Sequence, residues 1–263
     1  MVDTMRKQNE LKAKLKKGDA VLGIWCVLPS PPAVNVAAAS GMDFVIIDLE
    51  HGPLGPETAE DMVRAAASER CCSIVRLGQK DEGMILKALD MGAQGVLVAH
   101  VESRGDAEDV VAFSKYWPLG NRGFSPYTRA GGYGVKEIEK HAERQNEYGL
   151  TGIILEGREG IRNLDSILKV RSLDLVYVGA YDLSQALGVP GQVRNPRVMK
   201  RMETSIRKIR DAGIAAGGYV AADGKDLQWM LDMGMQFITV LPDCALLHRA
   251  CSALVEDFRK AAP

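Results

Sequence analysis

Residues 89–99 read Leu89-Asp90-Met91-Gly92-Ala93-Gln94-Gly95-Val96-Leu97-Val98-Ala99. A helical pattern ends at Gly92, a residue suited to the left-handed position that closes many helices, and a short apolar run follows with almost no connector. The chain turns from helix straight into strand. A near-copy, Leu231-Asp232-Met233-Gly234-Met235-Gln236, precedes a second such run at 237–241. Helix-to-strand turns converge on this kind of sequence in many α/β proteins. Lying four strand–helix units apart, the two copies also support half-barrel symmetry.

Working outward, apolar β-branched runs occur at 20–27, 43–47, 73–77, 95–99, 152–155, 173–178, 215–220 and 237–241, and helical periodicity fills 57–69, 82–91, 106–116, 161–170, 196–212 and 225–233. Nearly continuous apolar strands separated by helices indicate a parallel sheet, because a parallel connection needs a long crossover that packs on the sheet face. Eight such units predict closure into an α/β (β/α)8 TIM barrel rather than an open doubly wound sheet. The expectation is one barrel domain over 1–263, with a polar N-terminal helix within 1–17, an extra helix within 135–148 and a closing C-terminal helix at 244–261. The irregular stretch 118–135, rich in Gly, Pro, Arg and Tyr, is expected to cover the active site.

The 33 basic and 34 acidic residues nearly cancel, so no global field favours nucleic acid or an anionic membrane, and a small molecule becomes the default partner. Neither a signal peptide nor a membrane-spanning apolar run is visible, which predicts a cytoplasmic protein. Cys26, Cys71, Cys72, Cys244 and Cys251 form no metal-type pair, and their odd number argues against a disulfide framework. They are expected to be buried reduced thiols.

Catalytic groups of such a barrel lie just past the C-terminal ends of its strands. Ionisable residues recur there: Asp48, Glu50 and His51 after the second run, Arg76 in the third, His100 and Glu102 after the fourth, Glu156 after the fifth and Asp182 after the sixth. Glu156 and Asp182 follow adjacent strands, and two carboxylates suit a hard divalent cation that keeps room for substrate oxygens. Either one would serve equally well as a helix cap. His51 is the candidate general acid or base, with Asp48 or Asp90 as its acidic partner. Arg76 suits an enolate oxygen or a carboxylate. The Gly179 and Ala180 N–H groups are candidates for holding a substrate carboxylate. His141 and His248 fall on helical segments as ordinary surface or packing residues. No lysine directly terminates a central strand, and Lys80 is only loosely placed, which disfavours Schiff-base chemistry.

The segments Ile47-Asp48-Leu49-Glu50-His51-Gly52-Pro53, Val75-Arg76, Leu89-Asp90-Met91-Gly92, Arg122-Gly123, Glu156 with Asn163-Leu164, and Val178-Gly179-Ala180-Tyr181-Asp182-Leu183-Ser184 together resemble the HpcH/HpaI aldolase family of metal-dependent class II pyruvate aldolases. The likeness covers nearly the whole chain. It implies a divalent cation, magnesium or manganese with cobalt as a further fit, on Glu156 and Asp182. It also implies Arg76 near the pyruvate keto oxygen, His51 in proton transfer, and a homohexamer that exchanges its C-terminal helices.

This chain departs from the family pattern at Ile154, where members that cleave hydroxy-oxo acids carry glutamine, and at Tyr181, which stands beside the second ligand. The loop 122–130 differs too, and within it Arg129 and Tyr127 are candidates for recognising the acceptor. The implied reaction is reversible cleavage of a 4-hydroxy-2-oxo acid to pyruvate and an aldehyde. Rival expectations are oxaloacetate decarboxylation or citrate-synthase-like condensation at the same site, and a non-catalytic binding barrel.

Overall fold

The computed structural model describes residues 8–135, 137–219 and 224–262. Its strands are β1 Val21–Cys26, β2 Phe44–Asp48, β3 Cys72–Leu77, β4 Gly95–Val98, β5 Leu150–Leu155, β6 Leu175–Val178, β7 Ala215–Gly218 and β8 Phe237–Val240. They close into a parallel barrel in chain order, with β1 paired to both β2 and β8. Every run expected as a strand is one, and closure excludes the doubly wound alternative. Residues 1–7, Lys136 and Val220, which belong to expected elements, lie outside the described residues.

The helices are α1 Glu10–Lys17, α2 Pro31–Ala39, α3 Pro56–Ser68, α4 Glu82–Asp90, α5 Arg104–Ser114, α6 His141–Tyr148, α7 Arg158–Arg162, α8 Leu164–Ile167, α9 Ala180–Ala186, α10 Pro196–Asp211, α11 Gly224–Asp232 and α12 Asp243–Ala261. Two expectations shift. The helix expected over 161–170 is the pair α7 and α8, which meet at Asn163, whose side-chain amide donates to the Glu102 carbonyl. The extra helix expected over 135–148 is regular only as α6, after a single tight turn at Ile138–Lys140.

Strand alternation sorts the core into two layers. Phe44, Ile46, Ile74, Leu97, Leu175, Tyr177 and Phe237 fill the barrel, whereas Val45, Ile47, Val75, Val96, Ile153 and Val176 face the helices. Inside the barrel, the Phe44 and Phe237 rings stack at 3.8 Å. Gly23 makes that possible, since a Cβ there would stand 2.3 Å from the Phe44 ring. Leu11 and Leu15 of α1 join the interior cluster and plug its N-terminal end. At the other end of the chain, α12 exposes Leu246, Leu247, Leu254, Val255 and Phe258.

Cys26, Cys71 and Cys72 are buried free thiols, but Cys244 is half-buried and Cys251 exposed, because both ride on α12. Burial pushes the Cys71 thiol up to about 12 and Cys26 higher still, which suits packing rather than nucleophilic chemistry. Among the described residues no helix is long and apolar enough to cross a membrane.

Candidate active site

The alternation that fills the barrel also delivers its polar groups. Counting inward positions by twos, Phe44 and Ile46 lead to Asp48, Ile74 leads to Arg76, Ile154 leads to Glu156, and Tyr177 leads to Gly179. Each strand therefore ends on the inside with a residue unlike those below it. The register pairs Asp48 directly with Arg76 across β2 and β3. The result is a two-pronged ion pair, Nε to Oδ1 at 2.8 Å and Nη2 to Oδ2 at 2.6 Å, on residues that are nearly fully buried. Arg76 also donates to Glu50 and lies 4.9 Å from the Trp25 ring centroid. Three of the guanidinium's five N–H donors are engaged in these bonds, leaving donors for a substrate oxygen.

His51 stands at the edge of the same cavity. Its expected acidic partners are otherwise committed. Asp48 accepts from Arg76 and, through Oδ1, from the backbone N–H groups of Glu50 and His51, so its bond to His51 is to the backbone and not to the ring. Asp90 accepts from Arg122 at 2.5 Å. Moreover, Asp90 ends α4, and α4 runs back to the start of β4, so within one chain Asp90 lies at the end of the barrel away from His51.

The same topology relocates residues 118–135. They follow helix α5 and lead toward β5, which puts them on the helix-to-strand side and not over their own barrel mouth. Arg129 accordingly donates to the Met91 carbonyl at 3.1 Å, and neither it nor Asp90 lines the mouth cavity. His141 packs there against Tyr116 and Phe124. Lys80 is tied to Asp106 and Asp109 on the surface.

Glu156 and Asp182 do not serve as helix caps. Gly157 and Gly179 occupy the cap positions of α7 and α9 without side-chain bonds, and Asp182 sits inside the first turn of α9. Glu156 is 5% exposed. Burial, with the charge of Asp182 added to it, pushes Glu156 up to about 7. Gly179 contributes by lacking a side chain, since a Cβ there would stand 3.0 Å from Glu156 Oε2. Its N–H is committed to the Leu155 carbonyl at 3.1 Å, which removes it from the expected role in holding a substrate carboxylate.

The sequence puts His100 at this rim without marking a role for it. Its backbone N–H donates to Glu156 Oε1 at 3.1 Å, while ring Nδ1 lies 3.1 Å from the same oxygen and Nε2 2.9 Å from Glu50 Oε1. The residue adopts φ +56°, a left-handed conformation uncommon for a side chain of this size. Through it Arg76, Glu50 and Glu156 form one connected network. The position at a strand end was legible, but the backbone twist that turns the ring back to Glu156 leaves no mark in the sequence.

These groups surround a cavity of about 550 Å³ whose lining includes Trp25, Asp48, His51, Arg76, Glu156, Tyr181, Asp182 and Tyr219. Two carboxylates held together against their mutual repulsion, one of them buried, are a donor set that a divalent cation would complete. Among the described residues no group of three or more His, Cys, Asp or Glu is arranged to hold an ion. The set therefore fits a magnesium-type ion that keeps water and substrate oxygens, and not a closed zinc site.

A parallel eight-stranded barrel carrying acid, base and guanidinium groups at the C-terminal mouth defines a (β/α)8 enzyme. More narrowly, the chain belongs to the HpcH/HpaI aldolase/citrate lyase family, whose model matches residues 22–250. It is similar to the hydroxypyruvate/pyruvate aldolase of Pseudomonas aeruginosa, 35% identical over 97% of this chain and 94% of that one. Among solved structures, the citrate synthase SbnG is 32% identical with a TM-score of 0.87, over 97% of this chain and 99% of that one. The citrate lyase beta subunit from M. tuberculosis complexed with oxaloacetate and magnesium shares the fold alone, at 18% identity and a TM-score of 0.58, over 88% of this chain and 95% of that one. The protein is an enzyme, a lyase of the aldolase class. The non-catalytic reading is set aside.

Proposed function

We propose that the enzyme reversibly cleaves a 4-hydroxy-2-oxo acid into pyruvate and an aldehyde. The observation that carries this reading is the buried Glu156 carboxylate facing Asp182 beside the Arg76 guanidinium. Glu156 and Asp182 would hold the cation, magnesium or manganese with cobalt as a further fit. Bound there, it supplies Lewis-acid polarisation of the substrate's keto group.

The chain's own residues supply the rest. His51 takes the proton of the 4-hydroxyl, the C3–C4 bond breaks, and the aldehyde departs. The enolate oxygen left behind is held by the Arg76 N–H groups that face the cavity, which Asp48 and Glu50 lock in orientation. Proton return to C3 yields pyruvate. Ala180, at the start of α9, and Tyr181 line the substrate side of the cavity.

A second reading keeps this site but changes the electrophile. The likeness to SbnG favours oxaloacetate chemistry or condensation with an acyl thioester, and Ile154 in place of the usual glutamine agrees with it. The exposed apolar side chains of α12 support a homo-oligomer in which a second copy covers them, a hexamer by family resemblance. A cytoplasmic location agrees with the free thiols.

Pyruvate release from several 4-hydroxy-2-oxo acids, with magnesium or manganese and after chelation, tests the main reading, alongside oxaloacetate with and without acetyl-CoA. Glu156→Gln is expected to lower kcat/KM by about a thousand-fold. Full activity in that variant after chelation would overturn the proposal.

A further inference from the structure

The mouth cavity has two unlike walls. Asp48, His51, Arg76, Glu156 and Asp182 make the charged one, from the ends of β2, β3 and β5 and the start of α9. The facing wall comes from the ends of β1, β6, β7 and β8 with the first turn of α9, and carries Trp25, Tyr177, Tyr181, Tyr219, Leu241 and Pro242.

The rings of this second wall are organised. Tyr181 and Tyr219 stack with centroids 5.7 Å apart and planes 23° from parallel, and Trp25 meets Tyr177 edge-on at 5.6 Å. The Tyr177 hydroxyl is already bonded to Thr239 Oγ1 at 2.6 Å, inside the barrel. Tyr181 remains 52% exposed and offers its ring to whatever enters. Among the described residues that line the cavity, Arg76 is the single lysine or arginine; it reaches the ring wall at Trp25, 4.9 Å from that ring's centroid, but Asp48 and Glu50 already pair its charge.

A ligand group lying on the ring wall would therefore meet aromatic faces and aliphatic carbon. A carboxylate or phosphate there would lose its hydration without gaining an unpaired cation. The Tyr177 hydroxyl is partnered by Thr239 and the Tyr219 hydroxyl by Tyr181, so a chain of hydroxyls gains few new bonds there. An aromatic or branched apolar group instead gains ring contact and burial.

We propose that this wall is the electrophile subsite and selects an uncharged aldehyde bearing an aromatic or branched apolar group. The proposal rests on the aldolase reading and narrows it. In the synthetic direction C3 of the pyruvate enolate bonds to the aldehyde carbon, and the carbonyl electron pair moves to oxygen, which takes up a proton. Cleavage reverses these steps. The product is a 4-hydroxy-2-oxo acid whose C4 substituent lies against Tyr181 and Tyr219.

The test measures aldol addition of pyruvate, with magnesium or manganese, to benzaldehyde, 2-methylpropanal, glyceraldehyde and succinate semialdehyde, in the wild type and in Tyr181→Ala. Deuterium exchange of the pyruvate methyl group is followed by NMR in the same wild-type samples. The expected result is a kcat/KM preference for the first two aldehydes of roughly ten-fold or more, with the benzaldehyde-to-glyceraldehyde ratio falling about ten-fold in Tyr181→Ala. Metal-dependent exchange combined with a preference for succinate semialdehyde or glyceraldehyde, or a ratio unmoved by Tyr181→Ala, overturns the subsite and leaves the aldolase reading standing. Absence of exchange overturns both.

Discussion

At the base of the barrel, Lys12 of α1 reaches Asp174 at 2.9 Å, and the buried Lys115 lies 3.8 Å from the same carboxylate while donating to the Asn146 and Gly149 carbonyls. At the mouth, Glu156 and Asp182 are two carboxylates on one cavity, with His100 on the flank of one and the single lining arginine already engaged by Asp48 and Glu50. Both ends bury charge, but only the base matches most of it. Conserving a fold calls for matched charge, and binding a cation calls for charge left over. The base can be expected to report on stability and the mouth on ligands.

The largest break in this contrast should come from Asp174→Ala, which leaves Lys12 and the buried Lys115 at the base without their shared carboxylate. A loss of about 3 kcal/mol in urea unfolding is expected, with no change in cation affinity beyond that of the folded fraction. An equal loss of cation affinity in the folded protein would dissolve the distinction between the two ends.

A smaller effect should follow from Lys115. Burial, then the neighbouring charge of Lys12, pushes its ammonium down to about 7 from the ordinary lysine range. Between about 7 and the unfolded value near 10.4 the unfolded chain holds a proton that the folded one has released, so stability rises with pH across that window. It is lost as pH falls from that upper value to about 7. Wild type should accordingly gain about 2 kcal/mol relative to Lys115→Met between pH 7 and pH 10, and parallel unfolding curves for the two proteins would refute the assignment.

The smallest effect sharpens the mouth. Asn tolerates the left-handed backbone of residue 100, so His100→Asn should fold normally and keep the backbone bond to Glu156 while losing the ring contacts. Magnesium or manganese affinity, read by calorimetry, should fall about ten-fold. Affinity equal to wild type would show that the ring does not orient Glu156.

The barrel was almost wholly legible because its signal is local: each apolar run is bounded by a helix that ends at a glycine or a polar turn, and all eight runs are strands. The charged wall was legible for a related reason. Asp48, Arg76 and Glu156 interrupt apolar runs at positions where burial would otherwise be expected. Of the opposite wall only Tyr181 was legible, since Trp25, Tyr177 and Tyr219 continue the apolar pattern and resemble core until the barrel closes around them. Asp90 and Arg129 lie away from the mouth of their own chain for a topological reason. Proximity to a strand in the sequence says nothing of which end of that strand a residue meets, and both belong to connections that enter strands rather than leave them.

The period of two along β2, β3 and β5 has a further consequence for how such a chain can change length. Whether Asp48, Arg76 and Glu156 look into the cavity or out at the helices depends on parity alone. One residue inserted or removed inside any of those strands would turn its terminal charge toward the helix layer, whatever the composition. Length can vary freely only in the connections, as the stretch 118–135 shows. Kin of this protein should therefore differ by insertions between strands while keeping an even count from the first inward residue of a strand to its charged end. That arithmetic is open to inspection in any related sequence before a single residue is changed.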